Sequence, residues 1–298
     1  MHKIVIPNIY EYIEKIVNQI PPGRVSTFKL IAEALGSKYA TRFVSQVIKN
    51  LDVPWWRVVN ERGEIKNFEQ IIRLKRESIN ISGCKIDLNK YLFRDFSIDK
   101  KPLEILRNVQ KDLSKRIVLK DDFSEINTIG GVDLSYKKDQ AIVVYVILDN
   151  KLNLLEKYIF TEKVEFPYIP TFLSFREGEP IIKTFSRIHK PDILFVNGQG
   201  IAHPVRLGLA SYVGVLLNIP TVGITKKHLY GIIKDNKIFD SYNNLIGFIL
   251  EKNGKRVYVS PGHRISVNTA KELSENFWIK GNYPEPIRLA DEISKKAK

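Results

Sequence analysis

The chain has 298 residues, of which 44% are hydrophobic and 27% are charged, so it can bury the cores of two soluble domains. Its 47 Lys and Arg residues against 33 Asp and Glu residues give a net charge of +14, which favours a polyanionic partner; a lineage-wide basic composition is the alternative. The single cysteine excludes a disulfide framework and a cysteine-based zinc site, and no apolar run reaches the roughly 18 residues that span a bilayer. We therefore expect a cytoplasmic protein with no membrane partner, and a monomer is the simplest oligomeric state.

The first 96 residues are predicted to form a small, mainly helical domain. Two short helices joined by a glycine-containing turn are typical of a helix-turn-helix. Ser26 is expected to cap the second helix, because its hydroxyl can accept a hydrogen bond from the helix N-terminus, and Gly36 ends that helix. The predicted elements are a helix over 7–19, a helix from Ser26 to Leu35, a helix over about 39–50 and a turn over 61–64 between short strands.

The polar segment Phe96–Lys101 predicts a boundary between domains 1–96 and 97–298. Beyond it, apolar runs and amphipathic segments alternate, which indicates an α/β layer. The run 193–196 is entirely apolar, as is typical of a buried parallel strand. Helices are predicted over 102–117, 170–188, 204–217 and 266–276, and strands over 128–136, 141–148, 152–161, 193–196, 220–224 and twice within 245–260.

Polar residues that could bind a metal lie at the ends of these apolar strands. Asp133 ends an apolar run, and a buried carboxylate is costly unless a cation or hydrogen bonds compensate it. Glu177, Asn197 and His263 lie in or beside glycine-containing segments further along the chain. Oxygen ligands on neighbouring strand ends suit Mg²⁺. The residues alone leave a second interpretation open, in which these side chains are merely solvated.

Five strings in the second domain resemble, in order, the successive motifs of the endonuclease V family, over roughly residues 102–290. The strings are Val132-Asp133-Leu134-Ser135-Tyr136, Pro167-Tyr168-Ile169-Pro170, Leu173-Ser174-Phe175-Arg176-Glu177-Gly178, Asn197-Gly198-Gln199-Gly200-Ile201-Ala202-His203-Pro204 and Gly262-His263-Arg264. The resemblance implies a ribonuclease H-like fold, with a mixed sheet flanked by helices. It also implies cleavage of the second phosphodiester on the 3′ side of deoxyinosine with Mg²⁺, or Mn²⁺ as the alternative ion.

The resemblance also implies roles for individual residues. Asp133, Glu177 and the residue at position 197 would form the metal site, with His263 beside it and Lys226 near the scissile phosphate. A wedge that opens the duplex would consist of Pro167, Tyr168, Ile169 and Pro170, with Tyr168 stacking in the vacated space. The pocket for the flipped hypoxanthine would be lined by Gly198, Gly200, Gly208 and Leu229.

Position 197 departs from the family, which has aspartate where this chain has Asn197. An asparagine offers a neutral carbonyl oxygen, so Mg²⁺ binding should weaken while the fold and DNA binding survive. Two interpretations stay open: an inactivating substitution introduced to trap a complex, or a protein that naturally lacks nuclease activity. In both cases we expect this chain to cut inosine-containing DNA very slowly or not at all.

The first domain resembles the DNA-binding domain of O6-alkylguanine-DNA alkyltransferases over about residues 7–93. The strings that carry the resemblance are Pro22-Gly23-Arg24-Val25-Ser26-Thr27-Phe28, Tyr39-Ala40-Thr41-Arg42 and Pro54-Trp55-Trp56-Arg57-Val58-Val59. Where transferases have a Pro-Cys-His-Arg loop, this chain has Trp55 and Trp56, so both the nucleophile and its base are missing. A tryptophan in place of the cysteine is typical of the alkyltransferase-like proteins, which bind lesions without repairing them; Trp56 departs from their usual histidine. Cys84 matches no catalytic motif and is expected to be a structural thiol.

The resemblance implies that Arg42 replaces a flipped base in the stack, and that Phe28 stands where a tyrosine usually contacts the phosphate. The residues expected to contact DNA or a lesion are Ser26, Thr27, Phe28, Arg42, Trp55, Trp56 and Arg57. Two functions remain in competition: a lesion-directed nuclease, and a non-catalytic sensor that binds modified purines such as O6-alkylguanine and recruits other repair factors. An active alkyltransferase is contradicted by the missing cysteine. The sequence leaves open whether DNA or inosine-containing RNA is preferred.

Overall fold

The structure is a computed structural model that describes residues 4–297. Contacts between Cα atoms divide the chain into two compact units. The first unit comprises the described residues up to Asn108 together with Phe166–Pro170, and the second comprises Val109–Glu165 and the described residues from Thr171 onward. The boundary after Phe96 stays a prediction, because compactness does not define where an independently folding domain begins. Within residues 4–297, no helix is long and apolar enough to cross a membrane.

Within residues 4–297, the first unit contains short helices and four strands of two residues each. Its elements are α1 (Ile9–Val17), β1 (Ser26–Thr27), α2 (Phe28–Ala34), α3 (Thr41–Val47), β2 (Val58–Val59), α4 (Phe68–Arg76), β3 (Ile81–Ser82), β4 (Lys85–Ile86), α5 (Leu88–Tyr91) and the first part of α6 (Pro102–Ser114). The predicted pair of helices is present as α2 and α3. The predicted cap is wrong by one residue: the Thr27 hydroxyl accepts from Leu30 N at 3.1 Å, whereas Ser26 is buried in β1, which pairs with β2.

The second unit is built on one mixed sheet of nine strands. Its elements are β5 (Thr128–Lys137), β6 (Gln140–Asp149), β7 (Leu154–Lys163), α7 (Leu173–Phe185), β8 (Ile193–Asn197), α8 (Leu209–Leu217), β9 (Thr221–Thr225), β10 (Ile232–Lys234), β11 (Lys237–Phe239), β12 (Leu245–Lys252), β13 (Lys255–His263), α9 (Val267–Asn276) and α10 (Glu285–Lys296). The strand order is β10-β11-β12-β13-β9-β8-β5-β6-β7. The central pairs β5–β8 and β8–β9 are parallel and the others antiparallel.

Helices cover both faces of this sheet, as the apolar central strands require. On β8, Phe195 belongs to a core with Trp278 and Ile287, whereas the next residue, Val196, belongs to a core with Leu209. Successive side chains of a strand point to opposite faces, so β8 serves both cores. The carboxyl ends of the parallel strands β5, β8 and β9 therefore meet at one edge, between helices on either face.

Seven elements within residues 4–297 had no counterpart in the predictions, and one of them matters for the site. The missed elements are α4, the pair β3–β4, the pair β10–β11, α5 and α10. Helix α10 had a readable signal, since Pro286 lies in its first turn and Lys295 and Lys296 lie in its last turn. Gly131 allows α10 to approach β5 closely, because a Cβ atom there would lie 2.1 Å from the Pro286 carbonyl oxygen.

Candidate active site and nucleic-acid interface

Asp133 is the centre of the candidate active site, and its carboxylate is held from two sides. The Asn197 amide Nδ2 donates to Asp133 Oδ1 at 2.6 Å, because Val132 pairs with Val196 and the next residues of β5 and β8 are therefore neighbours. From α10, Ser294 Oγ donates to Asp133 Oδ2 at 2.5 Å. Burial raises the pKa of Asp133, although these two hydrogen bonds lower it. The Asp291 charge raises the pKa further. The predicted neighbours Asp133 and Asn197 are thus brought together.

Glu177, on α7, supplies the second carboxylate of the site. Tyr136 OH donates to Glu177 Oε1 at 2.7 Å, and the Arg176 guanidinium lies 4.4 Å from the Tyr136 ring centroid. Burial raises the pKa of Glu177 to about 7. The Tyr136 hydrogen bond lowers this pKa, and the charge of Asp133 raises it. The charge of Asp133 thus acts on Glu177, so the two carboxylates lie within electrostatic range of each other.

This donor set fits a hard divalent cation in its chemistry. A buried and a half-buried carboxylate, both with raised pKa values, are compensated most directly by a cation, and Mg²⁺ prefers oxygen ligands. Within residues 4–297, however, no group of three or more His, Cys, Asp or Glu side chains is placed to hold a metal ion. Asn197 could contribute its carbonyl oxygen, but it presents its N–H to Asp133. The residues present could therefore hold Mg²⁺ through Asp133, Glu177 and a reoriented Asn197.

Three residues of this site were missed by sequence reasoning, and all lie at or just before α10. They are Tyr283, Asp291 and Ser294. Tyr283 is 5% exposed, and the Lys226 Nζ atom lies 4.2 Å from its ring centroid. Their signal was the start of a proline-initiated helix near the chain end, but nothing in the local sequence indicates which strand that helix covers.

The expectation that His263 stands beside the metal site is wrong. His263 pairs with Thr221 at the beginning of β9, whereas Asn197 pairs with Ile224, three residues further along, or about 10 Å at the usual rise per residue. Its ring is buried, and Nδ1 accepts a hydrogen bond from Val118 N at 3.2 Å. Burial lowers the pKa of His263 to about 4, and the neighbouring cations act in the same direction. His263 is therefore a neutral structural histidine.

The predicted pocket glycines lie in a tightly packed loop after β8. Gly208 N donates to the Gly200 carbonyl at 2.9 Å, and a Cβ atom on Gly208 would lie 2.2 Å from the Gln199 carbonyl oxygen. Gln199 Nε2 donates to Thr225 Oγ1 and to the Lys227 carbonyl, at 2.9 and 3.0 Å. Gln199, which the predictions missed, thus ties this loop to the segment that carries Lys226. Gly198 is buried in the same loop, whereas Leu229 is 40% exposed.

The predicted wedge segment presents one aromatic side chain to solvent. Tyr168 is 63% exposed, whereas Pro167 and Ile169 are buried and Pro170 is half-buried. An exposed tyrosine between buried neighbours is available for stacking without rearrangement of the backbone. This exposure supports the expected role of Tyr168.

In the first unit, the two tryptophans of the transferase-like loop form a cluster with cations. The Trp55 and Trp56 rings meet edge to face at 6.2 Å, and the Arg73 guanidinium lies 4.5 Å from the Trp56 ring centroid. The Lys49 ammonium lies 5.1 Å from the Trp55 ring centroid. Gln70 Nε2 donates to the carbonyls of Trp56 and Val58, both at 2.9 Å, which fixes the loop on α4. Both indoles are half-buried.

The remaining predicted contacts of the first unit divide into accessible and inaccessible side chains. Arg42 on α3 is exposed and Phe28 at the start of α2 is half-buried, so both can reach a partner, whereas Ser26 and Thr27 are buried. The expectation that Arg57 contacts DNA is not supported, because its guanidinium is largely buried. It donates to both carboxylate oxygens of Glu77 at 2.9–3.0 Å and to the Ile20 carbonyl at 2.7 Å.

Two family models match the two segments. Residues 111–292 match the model for endonuclease V, and residues 8–83 match the model for the DNA-binding domain of 6-O-methylguanine DNA methyltransferase. A bifunctional methyltransferase-like/endonuclease from Nanoarchaeum equitans is 36% identical over 280 residues, which cover 94% of this chain and 88% of that protein. The endonuclease V of Dictyoglomus thermophilum is 44% identical over 200 residues, which cover 63% of this chain and 88% of that protein.

A solved structure shares the fold of the second unit. It is the Ciona intestinalis endonuclease V in complex with a 24mer DNA containing an inosine followed by a ribo-adenosine. The match covers 66% of this chain and 98% of that one, with 27% identity and a TM-score of 0.62. The similarity confirms the expected ribonuclease H-like fold.

Proposed function

Because the chain belongs to the endonuclease V family and also carries an alkyltransferase-like DNA-binding domain, we propose that it recognises deoxyinosine in DNA. The proposed reaction is hydrolysis of the second phosphodiester on the 3′ side of the lesion, with Mg²⁺ or Mn²⁺. The observation that carries the proposal is the hydrogen bond between Asp133, within β5, and residue 197, at the end of the neighbouring strand β8; the Asp133 charge also acts on Glu177.

The chain's own residues would divide the work of this reaction. Asp133 and Glu177, with the oxygen of residue 197, would hold the cation, and Tyr136 orients Glu177 through its hydrogen bond. A bound Mg²⁺ supplies a Lewis acid that offsets the charge on the phosphate and on the leaving oxygen. Lys226 is exposed, with its Nζ atom 4.2 Å from the Tyr283 ring centroid, and would contact the scissile phosphate. Tyr168 would fill the space of the flipped base, and such stacking contributes on the order of 1–3 kcal/mol.

Asn197 sets the activity expected of this exact sequence. Its amide donates a hydrogen bond to Asp133 where a carboxylate would share a cation, so we propose that Mg²⁺ binds weakly and that cleavage is very slow or absent. The Asp133–Asn197 hydrogen bond also favours the second candidate function, a non-catalytic sensor of modified purines. In that case the fold and the DNA-binding residues serve recognition alone.

The first domain is proposed to bind lesions without chemistry. Trp55 and Trp56 stand where a transferase needs a thiol nucleophile and its base, so no alkyl transfer is expected. Arg42 and Phe28 remain accessible for intercalation and stacking. O6-alkylguanine is the expected lesion class. The full chain should therefore bind an inosine-free duplex with O6-methylguanine more tightly than an unmodified duplex, and equal affinity for the two would count against this expectation.

The deciding experiment compares this chain with Asn197→Asp on a labelled duplex that contains one deoxyinosine. If Mg²⁺-dependent nicking at the second 3′ phosphodiester appears only in Asn197→Asp, the nuclease function is supported and Asn197 is the disabling residue. If neither protein cuts while both bind the inosine duplex more tightly than an unmodified one, the sensor function replaces it.

A further inference from the structure

Ser294 links helix α10 to the Asp133 carboxylate, and the proposed function gives it no role. Its side chain is buried, and its Oγ atom lies 2.5 Å from Asp133 Oδ2 and 3.1 Å from the Asp291 carbonyl oxygen. A hydroxyl has one proton to donate, and a carboxylate is a stronger acceptor than a carbonyl. The shorter contact therefore identifies Asp133 as the acceptor of the Ser294 proton.

A buried serine in a helix often donates to a carbonyl of its own helix. Ser274 on α9 does so, with its Oγ atom 2.7 Å from the Ala270 carbonyl oxygen. Ser294 also has a carbonyl of its own helix within reach, but its hydroxyl lies closer to a side chain of the sheet. The Ser294 hydroxyl thus serves the Asp133 carboxylate rather than the helix.

Ser135 makes a second hydrogen bond that fixes the position of Ser294. Ser135 and Asp133 are two residues apart on β5, so their side chains point to the same face of the sheet. Ser135 Oγ donates to the Ser294 carbonyl oxygen at 2.7 Å. This carbonyl lies in the last turn of α10, where carbonyl groups lack partners within the helix. The strand thus holds the backbone of Ser294, and the Ser294 side chain returns a hydrogen bond to the strand.

The two carboxylate oxygens of Asp133 consequently have different surroundings. Oδ2 accepts from the Ser294 hydroxyl, whereas Oδ1 accepts from the Asn197 amide at 2.6 Å. An ionised aspartate at position 197 has no proton to donate, so Oδ1 would lose its donor while Oδ2 keeps the Ser294 hydroxyl. A hydrogen bond to a ligating carboxylate fixes the orientation in which that carboxylate meets a metal ion.

We infer that Ser294 is a positioning residue that holds Asp133 Oδ2, so that Oδ1 is the oxygen presented to a divalent cation. This inference rests on the proposed nuclease function and adds helix α10 to the cation site. Ser294 itself contacts Asp133 and not the cation. Loss of its hydroxyl should therefore weaken cation binding and leave the rate at saturating cation nearly unchanged.

The test uses the full chain with Asn197→Asp as the parent and Mn²⁺ as the probe. The electron paramagnetic resonance signal of unbound Mn²⁺ reports binding to the DNA-free protein, at a temperature well below unfolding. Ser294→Ala should raise the Mn²⁺ dissociation constant about tenfold. Ser274→Ala is the matched control, because it also removes the hydroxyl of a buried helix serine, and it should leave this constant at the parent's value.

Single-turnover nicking of the inosine duplex separates cation binding from the chemical step. Ser294→Ala should need about tenfold more Mg²⁺ for its half-maximal rate and should reach nearly the parent's rate at saturation. Mn²⁺ binding by Ser294→Ala that is as tight as in the parent or tighter, or an equal loss in Ser274→Ala, overturns the inference. If the parent binds Mn²⁺ but does not nick the duplex, the nuclease proposal fails, and the Mn²⁺ dissociation constants still decide the role of Ser294. A parent that binds no Mn²⁺ overturns both.

Discussion

Asn197 donates its amide N–H to Asp133 Oδ1 over 2.6 Å, across the neighbouring strands β8 and β5. This hydrogen bond satisfies a buried carboxylate that a cation would otherwise compensate. The stability of the second unit should therefore respond to Mg²⁺ in a way that depends on the residue at position 197.

We expect Asn197→Asp to lower the free energy of unfolding when Mg²⁺ is absent. Added Mg²⁺ should restore the lost stability. A second carboxylate beside Asp133 removes the hydrogen bond and adds repulsion, on the order of 1–3 kcal/mol. A cation that binds only the folded protein restores about 2.7 kcal/mol at roughly 100 times its Kd. Thermal unfolding with and without Mg²⁺ measures both effects. Asn244→Asp is the control, since the Asn244 amide also donates to an aspartate, Asp240. The stability that Asn244→Asp loses should not return when Mg²⁺ is added.

Acid should destabilise the second unit through His263. Burial lowers its folded pKa to about 4, below the ordinary unfolded value of about 6.5, so only the unfolded chain takes up the proton between these values. The free energy of unfolding should thus fall as the pH drops from about 6.5 to 4, and His263→Gln should flatten that slope. Urea titrations over this pH range test it. His189→Gln is the control, because His189 is 65% exposed; an equal flattening there would contradict the assignment.

The transferase-like loop should depend on the largely buried ion pair Arg57–Glu77. Both side chains are 14% exposed, and Glu77 also accepts from Trp56 Nε1 at 2.8 Å. Although burial alone would raise it, the hydrogen bonds from Arg57 and Trp56 hold the pKa of Glu77 below its usual range. Arg57→Ala removes the cationic partner of this carboxylate and should lower the free energy of unfolding by about 3–5 kcal/mol. Denaturant unfolding followed by tryptophan fluorescence measures this loss.

Arg62→Ala is the matched control for the Arg57 experiment. The Arg62 side chain is 81% exposed, and its Nη1 atom lies 3.9 Å from Glu64 Oε1. Arg62→Ala should therefore change the free energy of unfolding by less than about 1 kcal/mol. Equal effects of the two substitutions would show that burial of the Arg57–Glu77 pair is unimportant.

Tyr168 should matter for the inosine duplex and not for folding. Because its side chain is 63% exposed, Tyr168→Ala should change the free energy of unfolding by less than about 0.5 kcal/mol. Loss of stacking should weaken binding to the inosine duplex by about 10- to 100-fold. Ile169→Ala, at a fully buried neighbour, should instead cost about 2–5 kcal/mol of stability. Fluorescence anisotropy and thermal unfolding separate these outcomes, and unchanged duplex affinity in Tyr168→Ala would remove the wedge role.

The sequence by itself determined the two families and predicted the residues that we expect to carry the chemistry. Asp133, Glu177 and Asn197 stand in local strings whose neighbours also set their secondary structure, so the helix that contains Glu177 and the strand that ends near Asn197 could be predicted. The substitutions at Trp55 and Trp56 were equally readable, because the loss of a thiol and an imidazole is a matter of composition and not of packing.

Only the tertiary structure decided which distant residues complete the site. Ser294 reaches Asp133 across 161 positions because α10 packs on β5 at Gly131, and no local pattern specifies that docking. Conversely, His263 stands in a string typical of the family, but the antiparallel register of β13 places it at the far end of β9. Strand register and helix packing fix distances between residues far apart in sequence, and these follow from the burial of whole faces rather than from any single motif.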